Sequence, residues 1–303
     1  MFIENALKVK NNLWRYALGL FIIFIFTQLG AIPFIVAIFQ KVGFEAAAKI
    51  NPSNMMTLLE NSNLTFFYLL LSFFIGFAGF LIVIKFLHNQ SLKSVTTARN
   101  LIDFSRVFTA FISISLLIVF NVLFSIYSSP EEYIFQFNLN DFLILALIAI
   151  IFIPVQTSLE EYVFRGYLMQ GLGVFFKNKW FPLFVTSLGF GLLHLSNPEI
   201  EKMGNIIIIH YVITGLFLGI ITLMDDGMEL ALGFHAGNNL LIALLVTADW
   251  TVFQTSSVFK YIGEPDIVNQ MFYSLLFYPL LLFYFSKKYQ WTNWKEKLTG
   301  KIS

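Results

Sequence analysis

Eight apolar runs separated by short polar connections constrain this chain more than any other feature. They fall at Ala17 to Phe39, Leu64 to Leu87, Val107 to Ile126, Phe142 to Phe176, Phe181 to Leu195, Ile206 to Met224, Leu230 to Val246 and Met271 to Phe285. About 20 apolar residues in a helix cross the roughly 30 Å hydrocarbon layer, and a helix satisfies its own backbone hydrogen bonds there. With 57% hydrophobic and only 12% charged residues, against about 25% charged in a soluble domain, the chain has too little polar surface to face water. The expected fold is an all-α, polytopic transmembrane bundle of about eight spans, with residues 1–303 forming a single membrane domain. The fourth run is too long for one simple crossing at ~1.5 Å per residue, and it contains Pro154, Glu160, Glu161 and Arg165.

Charge position says more than the net charge of +1, which gives no basic surface for nucleic acid. If the N-terminus is inside, the inner segments hold Lys8, Lys10, Arg15, Lys85, Lys93, Arg99, Arg106, Lys177, Lys179 and the C-terminal lysines from Lys287 to Lys301. The outer segments hold only Lys41, Lys49, Lys202 and Lys260. This bias predicts both termini in the cytoplasm. Trp14, Trp180, Trp250, Trp291 and Trp294 all flank spans, where an indole can be half dry. The first run exceeds the usual h-region of a signal peptide and is read as a retained helix. The absence of cysteine removes disulfides, thiolate metal sites and cysteine nucleophiles.

An ionisable residue inside a membrane costs at least ~2.5 kcal/mol on insertion scales and needs a partner or a purpose. The densest group is Glu160, Glu161 and Arg165 in SLEEYVFRGYL. Glu161 and Arg165 stand at i and i+4 in the favoured order and can neutralise each other. Glu160 lies about 100° away on the helix, a spare carboxyl suited to act as a general base. Phe190 and His194 share a face at i and i+4, as do His235 and Asn239, the latter pair among the small residues Gly233, Ala236 and Gly237. One carboxylate, two imidazoles and one amide suit amide hydrolysis. The acid and a histidine can take a proton from water, while a second histidine and an asparagine can bind the oxyanion. Glu160, His194 and His235 could instead hold zinc. The His-Glu-x-x-His signature is absent, so such a site would have to be assembled from three helices.

Taken in order, these motifs resemble those of the CPBP intramembrane proteases, which include the type II CAAX prenyl proteases and bacterial relatives linked to bacteriocin immunity. Glu160-Glu161-x-x-x-Arg165 is similar to the family's first motif, Phe190-x-x-x-His194 to its second and His235-x-x-x-Asn239 to its third. Asp225 and Asp226 depart from the less acidic turn of many relatives. The resemblance covers roughly Phe142 to Val246, and it implies Glu160, His194, His235 and Asn239 as the functional positions, with Glu161, Arg165 and Phe190 as structural support. It leaves both a metal-free, glutamate-dependent mechanism, which is preferred here, and a zinc mechanism open.

The resulting expectation is an intramembrane endopeptidase in the plasma membrane of a prokaryote, surrounded by lipid and cutting a hydrophobic or lipidated peptide. The rivals are a non-proteolytic immunity or scaffolding protein and, ranked below it, a proton-coupled transporter. His210 is read as an interhelical hydrogen-bonding residue, and His88 as an interfacial residue without chemistry. Counting at ~1.5 Å per residue places Glu160 roughly 27 Å from the outer end of its helix and His194 roughly 21 Å from the inner end of its own. Straight helices would leave them apart. A shared site therefore predicts a distorted fourth helix near Pro154, or a fifth helix that begins below the membrane surface.

Overall fold

In the computed structural model, which describes residues 1–43, 59 and 61–302, each of the eight apolar runs lies on helix. After a 3-10 turn at Ile3–Lys8 come α1 (Leu13–Val42) and α2 (Ser62–Ile82), the latter prolonged by a π turn at Val83–Leu87. Next are α3 (Leu92–Thr96), α4 (Phe104–Ser128) and the short strand β1 (Tyr133–Phe135). The fourth run comprises α5 (Leu139–Glu161), a π segment at Tyr162–Leu168 and α6 (Met169–Phe176). Then follow α7 (Trp180–Leu193), α8 (Glu199–Met203), α9 (Ile207–Asp225) and α10 (Glu229–Leu245). The chain continues through β2 (Val246–Thr247), β3 (Phe259–Tyr261), α11 (Ile267–Lys288) and α12 (Trp294–Thr299).

Among the described residues, five helices are long and apolar enough to cross a membrane: Leu13–Val42, Ser62–Leu87, Phe104–Ser128, Leu139–Phe176 and Ile207–Asp225. Trp180–Ser196 and Glu229–Leu245 are shorter apolar helices. Large apolar side chains such as Phe108, Leu116 and Phe120 on α4 stay exposed, a surface that would be costly in water and costs nothing against acyl chains. The chain is a helical membrane bundle. Lys49, expected on the outer side, lies outside the described residues.

Local chemistry starts several of these helices. The side chains of Asn61, Asp103 and Asn138 accept hydrogen bonds from the first free amides of α2, α4 and α5, donors that have no partner within the helix. The main pairings are α1 with α2, α2 with α5, α5 with α10, α10 with α4, and α7 with α9. The α4–α10 contact is close enough to require glycine: a Cβ on Gly233 would lie 1.9 Å from the Val107 carbonyl oxygen. Phe80, Val95, Tyr162, Phe217, Met228, Phe234 and Phe285 form part of the central core.

The two ends of the bundle differ. At one end, β1 pairs antiparallel and β2 parallel with β3. There Glu199, largely buried, accepts the Val252 amide at 2.9 Å. At the other end the chain termini meet: Phe2, Ile3 and Ile302 share one cluster with Met169, Leu183 and Leu223. The Ile302 amide donates to the Lys177 carbonyl at 3.0 Å, and Asp226 accepts from the Phe2 amide and pairs with Lys297. The connection between α2 and α4 docks at this same end. Arg99 bridges Asp225 and the fully buried Glu229, at 2.9 and 2.8 Å, while Arg106 and the Trp291 indole also bind Asp225. His88 is fully enclosed by protein, with Nδ1 2.7 Å from the Lys10 carbonyl oxygen and Nε2 2.6 Å from the Tyr167 hydroxyl.

Candidate active site

Glu160 and Glu161 are the last two residues of α5, and their side chains leave the helix about 100° apart. They therefore meet different neighbours. Glu161 is fully enclosed, and its Oε1 accepts from Arg165 Nη1 at 2.9 Å and from His235 Nδ1 at 2.8 Å. Arg165, equally enclosed, also donates from Nη2 to the Gly215 carbonyl at 3.2 Å, and its guanidinium lies 4.3 Å from the centre of the Phe190 ring. The expected Glu161–Arg165 pair is present. It also has a further part to play, since Glu161 fixes the ring of His235.

Holding Nδ1 on Glu161 turns the other ring nitrogen of His235 toward the rest of the cluster. His235 Nε2 is 3.5 Å from Glu160 Oε2 and 3.4 Å from Asn239 Nδ2. The Glu160 carboxylate, 19% exposed, accepts from Gln156 Nε2 at 2.6 Å, and Gln156 Oε1 accepts from Asn239 Nδ2 at 3.2 Å. Asn239 Oδ1 in turn accepts from Asn238 Nδ2 at 3.0 Å. Two helices, α5 and α10, thus supply a continuous polar seam inside an apolar bundle.

His194 reaches the cluster by a different route. It stands in the 3-10 turn that ends α7, donates from Nδ1 to the Phe190 carbonyl at 2.7 Å, and stacks on Tyr211 with centroids 4.0 Å apart and planes at 22°. Among the described residues it makes no hydrogen bond to Glu160, His235 or Asn239. Phe190 lies between, with its ring centroid 4.8 Å from His194 and 5.9 Å from His235. Glu160, His235 and Arg165 lie within electrostatic reach of the His194 ring, as do Tyr211 and His210.

The expected distortion is present in another form. Helical hydrogen bonding continues through Pro154 to Glu161 and then widens to π geometry over Tyr162–Leu168, directly after the carboxylate pair. At 14 residues, α7 runs only ~21 Å before it ends at His194. A π segment that begins directly after the carboxylate pair and a short α7 that ends at His194 are the departures from long straight spans at this site.

Gln156, Asn238 and Tyr211 were not anticipated. Gln156 does carry a signal in retrospect: it lies four residues before Glu160 and is an amide in an apolar run, so burial demands partners for it. Zinc would have to bind Glu160, His194 and His235. Among the described residues no three His, Cys, Asp or Glu side chains converge to hold a metal ion, while Nδ1 of both histidines is held by a carbonyl or carboxylate and Nε2 is the nitrogen left to a ligand.

The family profile described as Type II CAAX prenyl endopeptidase Rce1-like matches residues 139–241. The chain is also 29% identical over 256 residues to a Bacillus subtilis relative titled Uncharacterized protein YyaK, covering 82% of this chain and 83% of that one. No solved structure matches it. The matched stretch holds all three motifs and the seam they build, so residues 139–241 are similar to the Rce1-like type II CAAX prenyl endopeptidase domain, in keeping with the CPBP motifs.

Proposed function

We propose that this protein is an intramembrane endopeptidase that hydrolyses a peptide bond in a membrane-tethered or hydrophobic substrate, CAAX-type peptides included. The observation that carries this reading is the seam in which His235 meets both Glu160 and Asn239, with His194 one ring away. An apolar bundle has no structural need for so many polar groups in one place, since each costs desolvation and must then be satisfied.

In this mechanism Glu160 and His194 take a proton from water, and the hydroxide oxygen attacks the carbonyl carbon. His235, held by Glu161 and carrying a proton on each ring nitrogen in this step, presents Nε2–H, and Asn239 presents Nδ2–H, to the oxygen that gains charge. The present 3.4 Å contact between these two nitrogens is long enough to be exchanged for a substrate oxygen, as catalytic hydrogen bonds often tighten only with substrate bound. The proton held by Glu160 then passes to the leaving nitrogen as the C–N bond breaks. The lysine and arginine bias supports both termini in the cytoplasm, and the Bacillus relative supports a prokaryotic plasma membrane.

The test uses purified protein in lipid bilayers and a quenched-fluorescence peptide with an S-farnesyl cysteine four residues from its C-terminus. Glu160→Gln keeps the shape and removes the base, so turnover should fall by roughly 10²- to 10⁴-fold. Equal turnover would remove the mechanism. The step is proposed without a metal, and stoichiometric zinc by elemental analysis, together with chelator-sensitive turnover, would overturn that part.

A further inference from the structure

Gln156 is 4% exposed, belongs to none of the three motifs, and uses both ends of its amide. Its nitrogen donates to Glu160 Oε1 and its oxygen accepts from Asn239. The direction of this chain is forced. A carboxylate can only accept, so Gln156 must turn its NH2 toward Glu160 and its carbonyl toward α10. Asn239 must then face Gln156 with its own NH2, which leaves Asn239 Oδ1 to accept from Asn238. Three amides are thereby aligned with every donor pointing at Glu160, and hydrogen bonds in such a row strengthen one another.

We infer that Gln156 is a positioning residue of the active site, holding the Glu160 carboxylate and the Asn239 amide in register across α5 and α10 through a unidirectional chain of side-chain amides. The inference rests on the proteolytic reading for its catalytic meaning. The chain itself rests only on the geometry. Without Gln156, Glu160 loses its shortest hydrogen bond and Asn239 is free to rotate its amide, which would offer oxygen rather than nitrogen to the developing oxyanion.

Gln156→Met keeps the length of the side chain and removes both polar ends. With the farnesylated peptide as probe, kcat should fall roughly ten- to a hundredfold, the fold-change of one lost bond to a charged group, while KM stays within about twofold. Asn238→Leu, at the partly exposed end of the chain, should lower kcat several-fold with KM unchanged, and it serves where Gln156→Met does not fold. A second measurement needs no activity. Gln156→Met and Asn239→Leu should each lower the melting temperature by orphaning the other's amide, whereas the double variant should lose less than the sum of the two single losses, because neither end of the Gln156–Asn239 bond is then left unpaired. Parent-like kcat in Gln156→Met or Asn238→Leu, or additive melting losses, would overturn the inference. Full activity in Glu160→Gln, or a parent that leaves the probe intact, would instead strike the proteolytic reading, and the melting cycle would still decide whether the amide chain exists.

Discussion

Arg165 shows how a single residue can hold a site together without touching substrate. Fully enclosed, it binds Glu161, the Gly215 carbonyl and the Phe190 face at once, so it ties α5, α9 and α7 around His235. Arg165→Met should cost about 3–5 kcal/mol in melting experiments, because Glu161 is left as an uncompensated buried charge. Lysine should not rescue it, since a single ammonium lacks the planar fork that serves two acceptors. A parent-like melting point for Arg165→Met would show that Glu161 finds another partner. The i, i+4 spacings made Glu161 with Arg165, Phe190 with His194 and His235 with Asn239 legible in the sequence, because helix geometry alone joins each pair. His210 was legible as an interhelical residue, and it meets the Ser274 hydroxyl of α11 at 2.9 Å. Tyr211 was not, because His194 lies on another helix, and of the two bonds of Gln156 only the one to Glu160 at i+4 is local, the one to Asn239 crossing between helices.

At the scale of the element, close approach matters more than propensity. α10 carries His235 and Asn239, and its height against α4 is set where Gly233 meets the Val107 carbonyl. Gly233→Ala should force these helices apart at a cost of about 1–3 kcal/mol and lower turnover by moving both side chains from the seam. An unchanged melting point and rate would mean that α10 slides without consequence. The eight runs were readable as helices because length and apolarity suffice for that. The π segment at Tyr162–Leu168 was foreseen only as some distortion of the fourth helix, since the sequence shows that two motifs must meet but not how a backbone yields. The acidic turn at Asp225 and Asp226 stood out as a departure from the family pattern, and its meaning needed three dimensions. Arg99, Arg106, Trp291 and Lys297 dock there from both sides of the chain.

Across the whole molecule the two ends should respond to pH in opposite directions. Burial raises the Glu199 carboxyl above its ordinary value of 4.5. A group that binds its proton more tightly when folded contributes stability that is full below the unfolded value and is lost as pH rises through the folded one. Burial lowers His88 below its ordinary 6.5, so its contribution is present above that value and fades as pH falls through the folded one. Hydrogen exchange should therefore quicken around Val252 as pH rises through the folded Glu199 titration, and around His88 as pH falls below 6.5. Glu199→Gln should abolish the first dependence and spare the second, and a pH trend shared by both ends would contradict the assignment. The meeting of Phe2 and Ile302 in one cluster carries a consequence of its own. The polypeptide nearly closes on itself, so a short linker could join its ends into a ring. Such a circular permutant, reopened at Glu264 beyond the strands, would retain every helix pairing while the order of synthesis changed.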